Sequence, residues 1–370
     1  MAEEAVGLCL AGAGLTPDEV GFVAYSNASS GVVAGQHCIR GEVALRNTGL
    51  LGKPIVNVEN ACASGSSAVH LAWLQVASGL CDVALAVGTE KLSHPDKTRV
   101  LASMSAGADL DEIADMRARL GGGEDRSIFM DIYADLAERY MSASGATRED
   151  FARVAVKSRK AASLNPRAQF RKEATIEDVL ASRAVAGPLT LMMCSPIGDG
   201  AAAVVVTSED FAQRHGLHKP VFIRASVVMS GLGTQEGPTA ATRAARKAYE
   251  VAGVGPDEID VVEVHDATAS AEIALLEDLG LCGPGCGPDL VRSGATGLNG
   301  KLAVNSSGGL LSRGHPIGAT GCAQIVELVE QLNQASGPRQ RQGARTALAE
   351  NGGGYMGKDA AVAVVTILST

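Results

Sequence analysis

The sequence is poor in aromatic residues, which make up 3% of its 370 positions and include a single tryptophan. Stacking platforms for single-stranded nucleic acid need more than that. A basic excess is also lacking. The 32 Lys and Arg stand against 41 Asp and Glu, for a net charge of −9. Neutralising phosphates needs a basic face, so a general nucleic-acid binder is excluded. No apolar run reaches membrane-spanning length, and no secretory signal opens the chain. Eight cysteines, at 9, 38, 62, 81, 194, 282, 286 and 322, are scattered through mostly apolar stretches, as reduced buried thiols are. Cys282 and Cys286 form the one close pair, and no second pair of ligands accompanies them, so no metal is expected. The reading is a soluble, cytoplasmic protein with neither a membrane nor a nucleic-acid partner.

What is present points to a large α/β unit. A hydrophobic share of 46% with 20% charge is globular, and 370 residues predict two packed domains or one large unit. The 44 glycines cluster in short runs beside apolar segments, as tight turns around a ligand do.

An internal repeat carries the most information. AGAGLTPDEVGFVAYSNA (11–28) returns as AGVGPDEIDVVEVHDA (252–267), with an offset of 239 residues. Each copy predicts a helix ending in Gly, a Pro-Asp-Glu turn, an apolar strand and a polar tip: Ser26-Asn27 in one, His265-Asp266 in the other. PIVNV (54–58) leads into ENACASGSSA and an Ala-rich helix. KLAVN (301–305) leads into SSGGLLSRGHPIGATG and a second helix. Further apolar strands are expected at 82–87, 200–207, 220–229, 345–349 and 360–368. Strands alternating with helices predict βαβ units and a mostly parallel sheet. The fold class is therefore α/β, with two similar doubly wound halves. The first half covers 1–208, with an insertion at about 93–190, and the second covers 218–370.

The insertion is richer in charge and predicts amphipathic helices at 129–143 and 147–162. Its Lys157, Arg159, Lys160, Arg167, Arg171 and Lys172 suit either a solvated cap or a lid facing an anionic ligand. The halves also differ at their starts. The second opens with a strand, VFIRASVVM, and the first opens directly in a helix. The repeat thus predicts a missing first strand, central in its sheet, and a chain that is a fragment or begins at the wrong methionine.

Four places could carry chemistry. Cys62, in NACASGSSA, sits where a strand meets a helix N-terminus, a setting that favours a thiolate. Ser64, Gly65 and Ser66 let a ligand approach the backbone. His315, in SRGHPIGATG, lies on a second such junction and could take the proton of Cys62. His265 ends a strand at the sheet edge where open α/β folds bind ligands, and could donate to an oxyanion. GGGYMG (352–357) joins two strands and could turn a backbone N–H into a site. None of the glycine runs has the spacing of a dinucleotide or phosphate loop.

These motifs resemble the thiolase superfamily over nearly its whole fold except the first strand. NACASGSSA resembles its nucleophile motif, GHPIGATG its catalytic histidine motif, and residues 351–357 its C-terminal glycine loop. HDATAS stands where most thiolases have Asn-Glu-Ala-Phe and the sterol-carrier-protein-type (non-specific lipid-transfer) branch has His-Asp-Cys-Phe. MDIYADLAERYM, VAVKSRKAASLNPRAQFRKE and LMMCSPIGDGAAAVVV also look like that branch. The resemblance implies a layered α/β/α/β/α core with an inserted loop domain that binds coenzyme A as co-substrate, with no bound cofactor. It makes Cys62 the acyl-accepting nucleophile and His315 its base, and puts His265 in place of the oxyanion-site Asn. The N–H groups of Cys62 and Gly352 would form a second oxyanion hole, Ser230 and Gly231 would line the pantetheine channel, and Arg167 and Arg171 would serve coenzyme A. A homodimer is implied, and some members of the branch work with a small zinc-ribbon partner.

One departure is chemically central. Thiolases use a second cysteine as acid and base on the carbon next to the thioester, from the glycine loop or from His-Asp-Cys-Phe. Here those places read Glu350-Asn351-Gly352 and Ala267. Some group must still move that proton, and Tyr355 and Glu350 are both within sequence reach. Three functions follow. An acyl-CoA thiolase would cleave or form a C–C bond of a 3-oxoacyl-CoA through acyl-Cys62, in β-oxidation-like degradation of an aromatic or steroidal chain. A retro-aldolase on a 3-hydroxyacyl-CoA would need no acyl-enzyme. A non-catalytic acyl-CoA or lipid carrier would have lost its nucleophile and base first, and both are present.

Overall fold

The computed structural model describes residues 1–123, 126–217, 220–233 and 236–370. The first half holds β1 (Phe22–Ser26), β2 (Ile55–Val58) and β3 (Val83–Glu90). A short hairpin, β4 (Ala184–Ala186) and β5 (Leu189–Thr190), precedes β6 (Gly200–Thr207). The second half holds β7 (Phe222–Ser230), β8 (Val261–Glu263), β9 (Ala303–Val304), β10 (Thr346–Gly353) and β11 (Val362–Ser369). The helices used below are α1 (Ala2–Ala13), α2 (Ser64–Ala77), α3 (Ile128–Ser144), α4 (Arg148–Ser163), α5 (Ala240–Ala252), α6 (Ala269–Asp278) and α7 (Thr320–Leu332).

The first sheet runs β2-β1-β3-β6 and the second β7-β11-β10-β8-β9. In each, three strands are parallel and the next is antiparallel. Register fixes the equivalence. Phe22 pairs with Ala84, and its repeat partner Val261 pairs with Ala347. Both copies enter their first strand through the same turn: the Glu19 carboxylate accepts the Thr16 N–H at 2.7 Å, and Glu258 accepts that of Gly255 at 2.7 Å. In both copies the glutamate satisfies a backbone donor where a helical turn begins.

β7 is the strand without a counterpart, and it corrects one expectation. It pairs only with β11, so it is the edge of its sheet and not its centre. The equivalent edge in the first sheet is β6. Among the described residues no strand pairs with its outer side, and a cavity of about 890 Å³ runs along it between α1 and α7.

The layers follow the burial pattern. α1 covers the outer face of the first sheet, where Val6 and Leu10 pack with Val23 and Leu85. α2 and α7 fill the space between the sheets, with Val69 and Ala72 against Ile325 and Leu328. α5 and α6 cover the second sheet. The two central helices meet backbone to backbone at their first turns. A Cβ on Gly65 would lie 2.9 Å from the Gly321 nitrogen, and one on Gly321 would lie 2.1 Å from the Ser66 nitrogen. Glycine at these two places brings the turns before both helices together.

The insertion packs on the second half. Phe151 and Val154 of α4 share a core with Ile273 of α6. Its basic residues do not form one outward face. Lys157 is bonded to the buried Glu272 and to the Val304 carbonyl, and the Arg159 guanidinium stacks on Phe170. No helix among the described residues is long and apolar enough to cross a membrane.

Candidate active site

The turn between β2 and α2 carries Cys62. Ala61, just before it, is held at φ 46°, a left-handed conformation that a non-glycine residue adopts at a cost of roughly 1–3 kcal/mol. Surrounding contacts enforce it. A Cβ on Gly353 at the end of β10 would lie 2.2 Å from the Asn60 carbonyl oxygen, so the strand end presses directly on the turn. The thiol therefore points toward the second half.

The second half answers with two imidazoles. The donor atoms of Cys62, His265 and His315 all lie within 4.8 Å of one another. The two rings stand edge to face, with centroids 5.1 Å apart. Both histidines are buried, and the Nε2 of each has no hydrogen-bond partner. The tautomer of His315 follows from its neighbours. Its Nδ1 lies 2.7 Å from Thr320 Oγ1, whose hydroxyl donates to the Pro316 carbonyl at 3.1 Å. Thr320 must then accept from Nδ1–H, which leaves Nε2 as a free base. Asp266 supports the same loop by accepting the Leu310 N–H at 2.7 Å.

Electrostatics correct the expected thiolate. Burial, and then the Glu90 charge, push the Cys62 thiol up to about 12. The helix N-terminus does not outweigh them, because Cys62 lies two residues before the first residue of α2. Burial holds the His265 imidazolium down to about 4, and holds His315 well below 6.5 with help from His265 and Arg313. The resting site is a neutral thiol facing a neutral base, so attack requires proton transfer to Nε2 as the C–S bond forms.

The other expected residues fall in three places. Gly352 and Tyr355 line a cavity of about 420 Å³ beside His265, walled by Phe129, Tyr133, Leu136 and Leu275. The Tyr355 ring packs on Met116, Ile128 and Ile132. The backbone N–H groups that lie against the Cys62 sulfur are those of Gly354 and of Cys62 itself. Ser230 and Gly231 end β7, where Gly231 N–H donates to the Ala361 carbonyl at 2.8 Å, and neither lines that cavity. Arg167 pairs with Glu330 at 2.5 Å along the β6 groove, and Arg171 is exposed. The structure thus joins Cys62, His265 and His315, and leaves the two arginines elsewhere.

Glu90, Thr320 and Gly354 were missed. Thr320 stands inside the GHPIGATG motif, one helical turn after Pro316, and that spacing was a readable signal for a hydroxyl behind the imidazole. Glu90 gave none, because its partners come from two segments far apart in the chain, residues 27–29 and Gly318. Spacing within 4.8 Å would also suit a metal ion, but a thiol held neutral beside a free base reads as nucleophile and proton acceptor.

The fold and the paired turns bring a thiol and two imidazoles together at the junction of two repeated halves. The chain belongs to the thiolase family. "Thiolase, N-terminal domain" matches residues 1–210 and "Thiolase C-terminal domain-like" matches 233–370. Benzoylsuccinyl-CoA thiolase subunit BbsB of Thauera aromatica is 40% identical over 347 residues, covering 91% of this chain and 85% of that protein. Sterol carrier protein 2 of Rattus norvegicus is 35% identical, covering 91% of this chain and 63% of that protein, so the chain spans less than two thirds of that relative. The solved structure of an Ltp2-ChsH2(DUF35) aldolase superposes with a TM-score of 0.81 at 27% identity, covering 100% of this chain and 92% of that one.

Proposed function

We propose that the protein is a coenzyme A-dependent acyltransferase that cleaves, or in reverse forms, the C2–C3 bond of a 3-oxoacyl-CoA through an acyl-Cys62 intermediate. The observation that carries this is the triangle of Cys62, His265 and His315 within 4.8 Å, with Nε2 of both histidines unpaired. His315 Nε2 takes the thiol proton as Sγ attacks the 3-oxo carbon. His265, neutral and buried beside the thiol, donates to the oxyanion that develops. The C2–C3 bond breaks, leaving acyl-Cys62 and the enolate of a CoA ester, which takes up a proton. A second coenzyme A then receives the acyl group, and His315 returns its proton to the leaving sulfur. The cavity beside His265, walled by aromatic and aliphatic side chains, suits a bulky apolar acyl chain.

A second reading is a retro-aldol cleavage of a 3-hydroxyacyl-CoA without an acyl-enzyme. Ala267 and Glu350-Asn351-Gly352, where a second cysteine would stand, favour it, as does the similarity to an aldolase. One relative is titled a subunit and the other similar structure is a complex with a DUF35 protein. We therefore also propose a small partner chain beside a homodimer. The free cysteines suit a reducing, cytoplasmic setting.

The test is product identification after incubation with a 3-oxoacyl-CoA and coenzyme A, with intact-mass analysis of the protein. Two thioester products and an adduct on Cys62, both lost in Cys62→Ala, are expected. A ketone plus one CoA ester from a 3-hydroxyacyl-CoA, formed equally well by Cys62→Ala, would overturn the thiolase reading in favour of the aldolase one.

A further inference from the structure

Carbon–carbon cleavage at this site leaves one proton unassigned. His315 takes the thiol proton, and the enolate of the departing CoA ester needs another. We propose that Glu350 is the group that gives this proton and takes it back, an assignment that rests on the acyl-transfer reading above.

The argument is geometric. Glu350 and Gly352 share one face of β10, because side chains alternate along a strand. Asn351 points the other way, its Nδ2 donating to Gln324 Oε1 at 3.1 Å. Gly352 leaves the space above it open. A side-chain carbon at 352 would meet, beyond its own chain neighbours, nothing closer than Glu350 Oε1 at 3.5 Å, His265 Nδ1 at 3.8 Å and the Ala360 methyl at 3.8 Å. The face of Gly352 is therefore open beside Oε1, and a substrate carbon can approach over it within reach of that oxygen. The two carboxyl oxygens divide the work. Oε2 accepts the His265 N–H at 3.0 Å, which fixes the group, and Oε1 has no partner among the described residues and borders the cavity.

Among the described residues no cation pairs with Glu350. The titratable groups around it are His265 on its own tip, Tyr133 on α3 and Asp278 on α6. Arg139, Lys358 and Asp359 lie further round the cavity wall. Burial, with the Asp278 charge adding to it, pushes its carboxyl up to about 8, so it carries a proton near neutrality. Tyr355 is the alternative. Its phenol sits above 10, raised by burial, and its ring is packed into an apolar cluster.

The step balances. In cleavage, Glu350–COOH gives its proton to C2 of the enolate, and the carboxylate then takes the thiol proton of the incoming coenzyme A. In reverse, the carboxylate removes a proton from C2 of a CoA ester.

The test uses the full chain and acetyl-CoA in D2O, reading hydrogen exchange at the methyl group. Acylation of Cys62 by a 3-oxoacyl-CoA is followed in parallel. Glu350→Gln keeps an oxygen for the His265 N–H but cannot carry the proton. It should keep the parent's thermal midpoint and its iodoacetamide labelling of Cys62, and lose exchange roughly 100-fold or more. Parent exchange should rise with pH and level off above about 8, and this limb should vanish in the variant. Glu350→Asp should exchange more slowly with the limb retained, and Tyr355→Phe should exchange within a few-fold of the parent. Exchange in Glu350→Gln at the parent rate, or a limb unchanged by it, would overturn the assignment. Should Glu350→Gln lose that midpoint or that labelling, loss of the limb in Glu350→Asp would overturn it. A parent that neither acylates nor exchanges sinks the acyl-transfer reading itself, which separates the two failures.

Discussion

The tip after β1, Ser26-Asn27, and the tip after β8, His265-Asp266, are the same place in two copies of one unit. In the first copy every polar group is tied. Ser26 Oγ donates to the Gly318 carbonyl at 2.7 Å, Asn27 Nδ2 donates to the Thr89 carbonyl at 2.8 Å, and Asn27 Oδ1 accepts the Ser30 N–H at 3.0 Å. In the second copy Asp266 is tied as firmly, but His265 Nε2 is buried with no partner. The carboxylates of the two corresponding strands, at different positions along them, differ likewise. Glu90, at the end of β3, accepts from Ala28, Ser29, Gly318 and Asn27, and Glu350, within β10, accepts from His265 alone among the described residues. Identical scaffolding thus serves structure in one half and chemistry in the other. The difference lies in which buried polar atoms are left without a partner, since such atoms carry a cost that a role must offset.

The comparison breaks most readily at the base. His315→Ala should slow acylation of Cys62 roughly 10³-fold or more, read by rapid-quench mass spectrometry. A loss below tenfold would remove His315 from the chemistry. Next come the two tips. His265→Ala should lower kcat roughly 10²–10³-fold, as removal of one oxyanion donor does. Ser26→Ala, at the equivalent position, should leave kcat within about threefold and cost about 1 kcal/mol of stability, as one lost hydrogen bond does. Paired steady-state assays and urea titrations decide this. Equal kinetic losses from both variants would mean that the halves are not divided as described.

Much of this was legible because the repeat writes the frame twice. The Pro-Asp-Glu turns, the apolar strands and the small residues around Gly65 and Gly321 are local signals, and each has a local cause. The cysteine and the two histidines were readable for the same reason, as polar residues at the ends of predicted strands. The thiol's protonation was not readable. It depends on burial and on Glu90, which comes close to Cys62 only once β3 lies in one sheet with β2. The edge placement of β7 was not readable either, since strand order in a sheet is set by pairings across the chain. Nor was the dispersal of the basic residues, because Lys157 finds its carboxylate 115 residues away.

A smaller effect is the acid limb of stability. His265 titrates at about 4 when folded and near 6.5 when unfolded. Between those values the unfolded chain binds a proton that the folded one does not, so stability falls as pH drops through that window. The contribution reaches about 3 kcal/mol at pH 4. Glu350 works in the opposite sense. Its folded value of about 8 lies above its unfolded one, so it weakens the fold as pH rises from about 4.5 to 8. His265→Asn should shrink the loss of unfolding free energy between pH 7 and pH 4 by about 3 kcal/mol, and Ser26→Ala should leave it unchanged. Urea titrations at the two pH values measure both, and an unaltered loss in His265→Asn would show that this imidazole is not held neutral by the fold.

The smallest expected effect tests whether the structural carboxylate of the first half still reaches the chemistry. Glu90 is the second cause, after burial, of the raised Cys62 thiol. Removing its charge should lower the thiol's titration point, because a nearby negative charge opposes thiolate formation. Glu90→Gln keeps the size of the side chain and most of its acceptor capacity, but sets an amide nitrogen against a backbone N–H at a cost of about 1–2 kcal/mol. Iodoacetamide reacts with the thiolate, so at fixed pH its rate at Cys62 reports the thiolate fraction. The variant should alkylate faster by less than about tenfold, with the midpoint of the rate–pH profile moved down by less than one unit. An unchanged profile would mean that burial alone holds the proton on the sulfur. The division of labour between the halves would then be complete, with Glu90 purely a fastener and every group that tunes the nucleophile belonging to its own turn or to the opposite half.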